Sequence, residues 1–308
     1  MTITTRRERI SPKLMWIMIA IHALGLLGVG YLCLVDNNLS LILGAVAYYY
    51  LIHISITDGA HRYFTHEAYQ LKPWLAYTLA VIFSGASQNS LYWWVGKHLE
   101  HHQFEDQRGK DPHTPHDGFW HSHMLWMLKP NAQLIPKTVR ARFLTPSTRN
   151  NVVNWHRRNH RKFEVLMMFV VPGILGLVLG RANDFAIGPV LLPGAIINII
   201  GGVLVIGFTR LVFQYHGTWV VNSVGHSFGK PVDATARNFW GIFSPLCGLL
   251  TVGEAHHANH HVAPGHWKLG RSFWQLDPGA WVARVWRTLG WAYDFKEPPN
   301  RRRSRTFT

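Results

Sequence analysis

"LMWIMIAIHALGLLGVGYLCLV", residues 14–35, contains no formally charged side chain and one histidine. A helix rises 1.5 Å per residue and a bilayer core is about 30 Å thick, so this run is about the length needed to cross. Three more such runs follow: "LSLILGAVAYYYLIHISIT" (39–57), "FEVLMMFVVPGILGLVLG" (163–180) and "IGPVLLPGAIINIIGGVLVIGFT" (187–209). Together they predict an all-α integral membrane protein whose four transmembrane helices form two hairpins. A shorter run that ends polar, "PWLAYTLAVIFSGASQNS" (73–90), predicts a helix lying against the membrane or buried in the protein.

The chain of 308 residues carries 31 Lys+Arg against 16 Asp+Glu, a formal charge of +15. Where those cations fall decides what the charge is for. The link after the first span, "DNNLS" (36–40), has none, and the link after the third, "RANDFA" (181–186), has one. Arg6, Arg7, Arg9, Lys13, "WHRRNHRK" (155–162) and "RRRSR" (301–305) all fall on the other side. The positive-inside rule puts both termini and the long loops in the cytosol. No nucleic-acid recognition fold accompanies the charge, which excludes that class of partner. The first apolar run is long and no small-x-small cleavage site follows it, so it reads as a retained span and not a signal peptide. Cys33 and Cys247 are too few for a disulfide framework or a thiolate metal site. The expected organisation is a single domain, 1–308, with a cytosolic helical cap formed by 58–162 and 210–296 and a flexible basic tail, 297–308.

Histidines number 20, about one residue in fifteen, yet the five-residue pattern His-x-x-His-His occurs twice. "HLEHH" (98–102) is one copy and "HHANHH" (256–261) contains the other; "HRYFTH" (61–66) adds His61 and His66 directly after the second span. Residues i, i+3 and i+4 share one face of a helix, so His98, His101 and His102 converge, as do His257, His260 and His261. His61 and His66 are five apart, a rotation of about 140° on an ideal α-helix, and call for a distorted turn or for approach to a metal pair from different angles. Imidazole suits Zn, Cu, Fe and Ni. Eight or more clustered imidazoles exceed what one ion takes and imply two metals if they converge. His22 and His53 inside spans, and His156 and His160 in the basic run, read instead as isolated structural residues.

At these residues the sequence resembles the membrane fatty-acid desaturases, in particular the acyl-CoA (stearoyl-type) Δ9 branch and its bacterial relatives. Their histidine boxes run H-x4-H, H-x2-H-H and H-x2-H-H in this order. The flanks match as well: "TDGAHRYFTH" (57–66), "QNSLYWWVGKHLEHHQF" (88–104), "DPH" (111–113), "GFWHSHMLWML" (118–128), "WVVNSVGH" (219–226) and "GEAHHANHH" (253–261). The resemblance spans about residues 40–265. It implies two iron ions held by His61, His66, His98, His101, His102, His226, His257, His260 and His261, with Asn222 reaching one metal through water. Two departures stand out. Ala255-His256 replaces the family's Gly-Trp, so His256 is expected to fill the space of a packing aromatic. Gly96-Lys97 replaces a polar pair that contacts CoA in animal relatives, which leaves acyl-CoA, acyl-ACP and phospholipid open as carriers.

The implied reaction is O₂-dependent formation of a cis double bond in a saturated acyl chain, because acid–base chemistry at pH 7 does not break an unactivated methylene C–H bond. Electrons would come from a separate ferredoxin or cytochrome b5, acidic partners that suit a basic face. Asp58, Glu100, Asp106, Asp111, Glu254 and His123 are candidates to orient the metal-bound histidines. Tyr92, Trp93 and Trp94 are candidates to line an acyl tunnel or to anchor at the interface. A diiron hydroxylase or acetylenase acting on a lipid or alkyl chain shares the oxidant. A non-catalytic membrane metal-binding protein would share the clusters. The expected location is the bacterial inner membrane, active site facing the cytoplasm.

Overall fold

A computed structural model describes residues 9–187, 190–228, 230–231, 237–238 and 243–297. The expected flexible tail falls, from residue 298 on, outside the described residues. Helix α1 (Pro12–Leu34) is capped by Ser11, whose Oγ accepts from the Leu14 N–H, and α2 (Leu39–Ile54) by Asn38, which accepts from the Ser40 N–H. Helix α2 runs on as a π-helix, Ser55–Thr65. Next come α3 (Pro73–Phe83), α4 (Leu91–Phe104) and the short α5 (Phe119–His123) and α6 (Lys137–Arg142). Helix α7 (Thr148–Val165) passes through a π turn, Leu166–Val170, into α8 (Val171–Leu179); α9 (Gly194–Gly202) passes through another, Val203–Thr209, into α10 (Arg210–Ser227). Helices α11 (Phe243–Leu250), α12 (His257–Val262) and α13 (Pro278–Thr288) complete the helical set among the described residues. Strands are two-stranded scraps; Gln70–Leu71 pairs antiparallel with Ala292–Tyr293, Leu71 opposite Ala292.

Four continuous rods are long and apolar enough to cross a membrane: Pro12–Leu34, Leu39–Thr65, Thr148–Leu179 and Gly194–Ser227. The protein is an all-α membrane protein, as its apolar runs predict, but three boundaries differ from those expected. The third rod starts at Thr148, because Ser147 caps it and nothing breaks the helix before Gly180; the basic run is thus helical and extends beyond the apolar layer. The fourth starts at Gly194 and not 187, since Phe185–Ile187 and Val190–Leu192 pair as a hairpin before Pro193. The second and fourth rods continue past 57 and 209, so much of the cap grows directly out of the spans. The run 73–90 becomes amphipathic α3, with Leu75, Leu79 and Phe83 buried and Trp74 and Tyr77 exposed.

Small residues let the rods approach closely, as they do where lipid supplies no hydrophobic drive between helices. The Thr209 hydroxyl donates to the Gly25 carbonyl at 2.8 Å. A Cβ on Gly28 would lie 2.6 Å from the Leu204 carbonyl oxygen. Between α8 and α9, a Cβ on Gly202 would strike the Pro172 carbonyl and lie 2.5 Å from Gly176 Cα. Those neighbours are backbone and have no rotamer to give. Gly202→Leu is therefore expected to abolish the cooperative thermal transition of the purified protein, or to lower it by more than the usual overpacking cost of about 1–3 kcal/mol. Gly30→Leu, where a Cβ meets nothing within 4 Å, should leave it unchanged.

Candidate metal centre

The π-helix resolves the five-residue spacing of the first box. In a π-helix the N–H of residue i+5 bonds the carbonyl of residue i, so residues five apart come to lie on one side. The His66 N–H donates to the His61 carbonyl at 3.1 Å, and the Thr65 hydroxyl to that of Ala60 at 2.7 Å. The second box lies on α4, whose start is capped by Ser90 Oγ accepting from the Trp93 N–H at 3.3 Å. The third box opens α12, and His226 lies in the last turn of α10.

These elements bring all nine histidines together in two groups. His61, His66, His98, His102 and His260 each place a ring nitrogen within 4.8 Å of the others, and His101, His226, His257 and His261 do the same. In the first group the Nε2–Nε2 distances are 3.0 Å for His61–His260, 3.0 Å for His66–His98, 3.1 Å for His98–His102 and 2.8 Å for His102–His260. In the second, His101–His261 is 3.3 Å and His257–His261 is 2.8 Å. Asn222 stands one turn before His226 and lines a cavity together with His61, His98 and His257.

Carboxylates hold four of the rings from behind. His61 Nδ1 lies 2.8 Å from Glu254, His101 Nδ1 3.0 Å from Asp111, His226 Nδ1 3.3 Å from Asp106 and His261 Nδ1 2.9 Å from Glu105. Each such contact fixes the Nδ1–H tautomer and turns the Nε2 lone pair inward. Burial, reinforced by neighbouring imidazoles, pushes His66, His98, His101, His102, His257 and His260 well below the ordinary histidine range, so they are neutral at pH 7.

Neutral imidazoles turned lone pair to lone pair repel unless a cation sits among them. A proton can mediate one such contact but not a ring of them. His226 Nε2 makes the same point, being buried with no hydrogen-bond partner. Two nitrogens each about 2.1 Å from one ion and at right angles about it are about 3.0 Å apart, the spacing found here. The donor set therefore fits two separate divalent transition-metal ions, five imidazoles at one and four at the other.

Several expectations change at this point. Of the candidate orienting groups, Asp106, Asp111 and Glu254 touch ring nitrogens. Asp58 does not: it pairs with Arg62 and accepts from the Tyr69 hydroxyl. Glu100 faces Lys97 at 2.7 Å, because i+3 on α4 reaches that lysine and not the centre. His123 bonds Ser223 and His216 and no histidine of either group. Trp94 lines the cavity and stacks on His98, whereas Tyr92 packs on Phe143 beneath Arg157. His156 is a structural residue, its Nε2 on Ser84 and its Nδ1 accepting from the Leu91 N–H. Glu105 was missed, although the acidic pair Glu105-Asp106 directly after the second box is the visible signal for it. His113 was missed too; it packs on His101 with ring centroids 4.3 Å apart.

His256 lies outside both groups. It is fully buried and its Nε2 meets the Leu276 carbonyl at 3.0 Å. His256→Trp keeps a ring N–H for that carbonyl and is expected to retain the full metal complement by elemental analysis. Loss of metal on that change would place His256 within the centre.

Comparison with known proteins agrees with this architecture. Residues 37–296 match the family model described as fatty acid desaturase. The chain is 29% identical over 289 residues to the sn-2 palmitoyl-lipid 9-desaturase of Nostoc sp., covering 92% of this chain and 90% of that protein. It is 32% identical over 249 residues to the sn-1 stearoyl-lipid 9-desaturase of Synechocystis sp., covering 80% and 68%. It is 30% identical over 260 residues to a probable acyl-CoA desaturase of Schizosaccharomyces pombe, covering 83% of this chain and 49% of that longer protein. A four-rod membrane protein with two imidazole groups, matched over most of its length by these enzymes, belongs to the fatty acid desaturase family.

Proposed function

We propose that this oxidoreductase introduces a cis double bond at position 9 of a saturated fatty acyl chain at a diiron centre. The proposed ligands are His61, His66, His98, His102 and His260 for one iron and His101, His226, His257 and His261 for the other, Asn222 adding a contact through water. The observation that carries this is the pair of imidazole groups, with His61, His98 and His257 forming part of a cavity wall that Ile56, Trp94 and Val221 make apolar. Relatives named as 9-desaturases support the position. Residues 1–308 are proposed to work as one unit.

Irons bound there supply an oxidant drawn from O₂, strong enough for an unactivated C–H bond. The balance is two hydrogens lost from the acyl chain and one O₂ converted to two waters, with two electrons and two protons supplied from outside. The protein's part is positioning. Glu254, Asp111, Asp106 and Glu105 fix the rings they touch, and Trp94 and Ile56 give the acyl chain apolar walls that keep bulk water away. The exposed Arg157, Arg158, Arg161 and Lys162 on α7 suit docking of an acidic ferredoxin or cytochrome b5. The charge asymmetry between loops supports a cytoplasmic cap, and a bacterial inner membrane is the proposed location.

The test is the fatty-acid profile of cells expressing the chain beside cells expressing His101→Ala, by gas chromatography–mass spectrometry with double-bond derivatisation. A monounsaturated acid with its double bond at position 9, absent from the variant, is the expected result. A hydroxylated or alkynyl product would replace desaturation with another reaction of the same centre.

A further inference from the structure

We infer that the substrate is an acyl chain already esterified to a glycerolipid, entering sideways from the leaflet nearest the cap and not from the aqueous side. This rests on the acyl-desaturation reading and names its carrier.

Three chambers adjoin. The innermost holds His61, His98 and Asn222; a middle one shares Trp94, His98, Thr218 and Asn222 with it; an outer one shares Gln88, Trp93, Met127 and Trp219 with the middle. One wall of the outer chamber is the side of a membrane span: Leu14, Ile17, Met18 and Ile21 of α1. Ile17 is 46% exposed on that rod, so the chamber opens where lipid lies. Depth follows from the neighbours. Trp16, 69% exposed, is a side chain suited to the headgroup boundary, and Arg9 and Lys13 lie just beyond it. The mouth therefore sits where glycerol ester groups sit, between headgroups and acyl chains.

The aqueous side is roofed. The Ser11 N–H donates to the Leu128 carbonyl at 2.8 Å, tying the start of α1 to the 3₁₀ turn Leu125–Leu128, and Leu128 itself lines the chamber. The lip is made of neutral amides, Gln88, Asn89 and Gln133, which suit an ester carbonyl. Asn89 and the adjacent Ser87 are held at φ 67° and 49°, left-handed values that non-glycine residues keep where the surroundings demand them. Among the described residues the one cation on the wall is Arg161, paired with Glu164 at 2.9 Å. A water-soluble, polyanionic carrier would find neither an aqueous opening nor an unpaired cation on this wall.

The test uses the full chain, iron-loaded, in vesicles with a chemical or ferredoxin reductant. One arm carries palmitoyl-oleoyl-phosphatidylglycerol deuterated in its palmitoyl chain. The others carry dioleoyl-phosphatidylglycerol with deuterated palmitoyl-CoA or palmitoyl-ACP added. Deuterated monoene should form on the lipid at an initial rate at least tenfold above either soluble donor. Ile17→Trp, which fills the mouth from its lipid-facing side, should cut the lipid rate at least tenfold with iron content unchanged. Equal or faster reaction of palmitoyl-CoA or palmitoyl-ACP would overturn the inference and leave the desaturase reading standing. An unchanged lipid rate in an iron-replete Ile17→Trp protein would overturn the lateral route. No oxidised product from any donor would bring down both.

Discussion

Replacing His101 by alanine is expected to abolish desaturation and to lower bound metal from two ions to one, while the protein stays in the membrane. His101 contributes one of four imidazoles to its group, and its Nε2 lies 3.3 Å from that of His261. Removing it leaves His226, His257 and His261 around a gap that opens on the first group, because α4 carries His98 and His102 on the same turn. His260→Ala should empty the other group in the same way, since its Nε2 lies within 3.0 Å of both His61 and His102. A graded variant separates loss of a ligand from loss of the fold. Asp111 accepts from the Asp106 and His113 N–H groups as well as holding His101. Asp111→Asn keeps the shape and weakens the hold on the ring, so a loss of about 10–100-fold in metal affinity or activity is expected. Elemental analysis with activity on the same preparation checks both. Full activity in either alanine variant would sink the ligand assignment.

How much of this centre was visible beforehand depended on which backbone carried each residue. His98, His101 and His102 were legible because α4 is an ordinary α-helix, in which i, i+3 and i+4 spacing fixes a face; α12 does the same for His257, His260 and His261. His61 and His66 were not placeable, because helical periodicity in a sequence is read at 3.6 residues per turn and the segment is π-helical. His226 came only through family resemblance: one histidine among α10's mixed residues has no local pattern. Glu105 is set by a chain reversal at the end of α4, where its backbone leaves the helix at φ −37°, ψ 123°. No propensity encodes that its carboxylate will meet a ring 156 residues later. The spans were legible from apolar length, but their ends were not. Where α7 runs from charged into apolar sequence, helix continuity is decided by capping and hydrogen bonding and not by hydropathy.

Arg62→Met is expected to be among the most destabilising single changes outside the metal centre, about 3–5 kcal/mol, because it strands buried charge. Arg62 follows His61 on the π-helix and is fully buried. Its guanidinium donates to Asp277 at 2.6 Å, to Asp58 at 3.4 Å and to the Trp267 carbonyl at 3.0 Å. Asp277 also accepts from the N–H groups of Leu269, Gly270 and Ala280 at 2.7, 3.1 and 2.9 Å, and so organises the turn before α13. Burial alone would raise Asp277, yet Arg62 and those backbone donors hold it below the usual carboxylate range. Its stabilising share is therefore complete above its unfolded value of about 3.9 and is lost as pH falls below that. Without Arg62, two carboxylates remain in a space that admits no water partner of comparable strength. The segment from Trp267 to α13 then loses its tie to the helix that carries His61. Paired removal should hurt less: Arg62→Met with Asp277→Asn and Asp58→Asn leaves no unpaired charge, and replacing a whole buried network is often far milder than breaking it. Thermal unfolding of the single and triple variants reads the difference. A single variant as stable as the parent would mean that the network is hydrated and that Arg62 carries no more than a surface pair does.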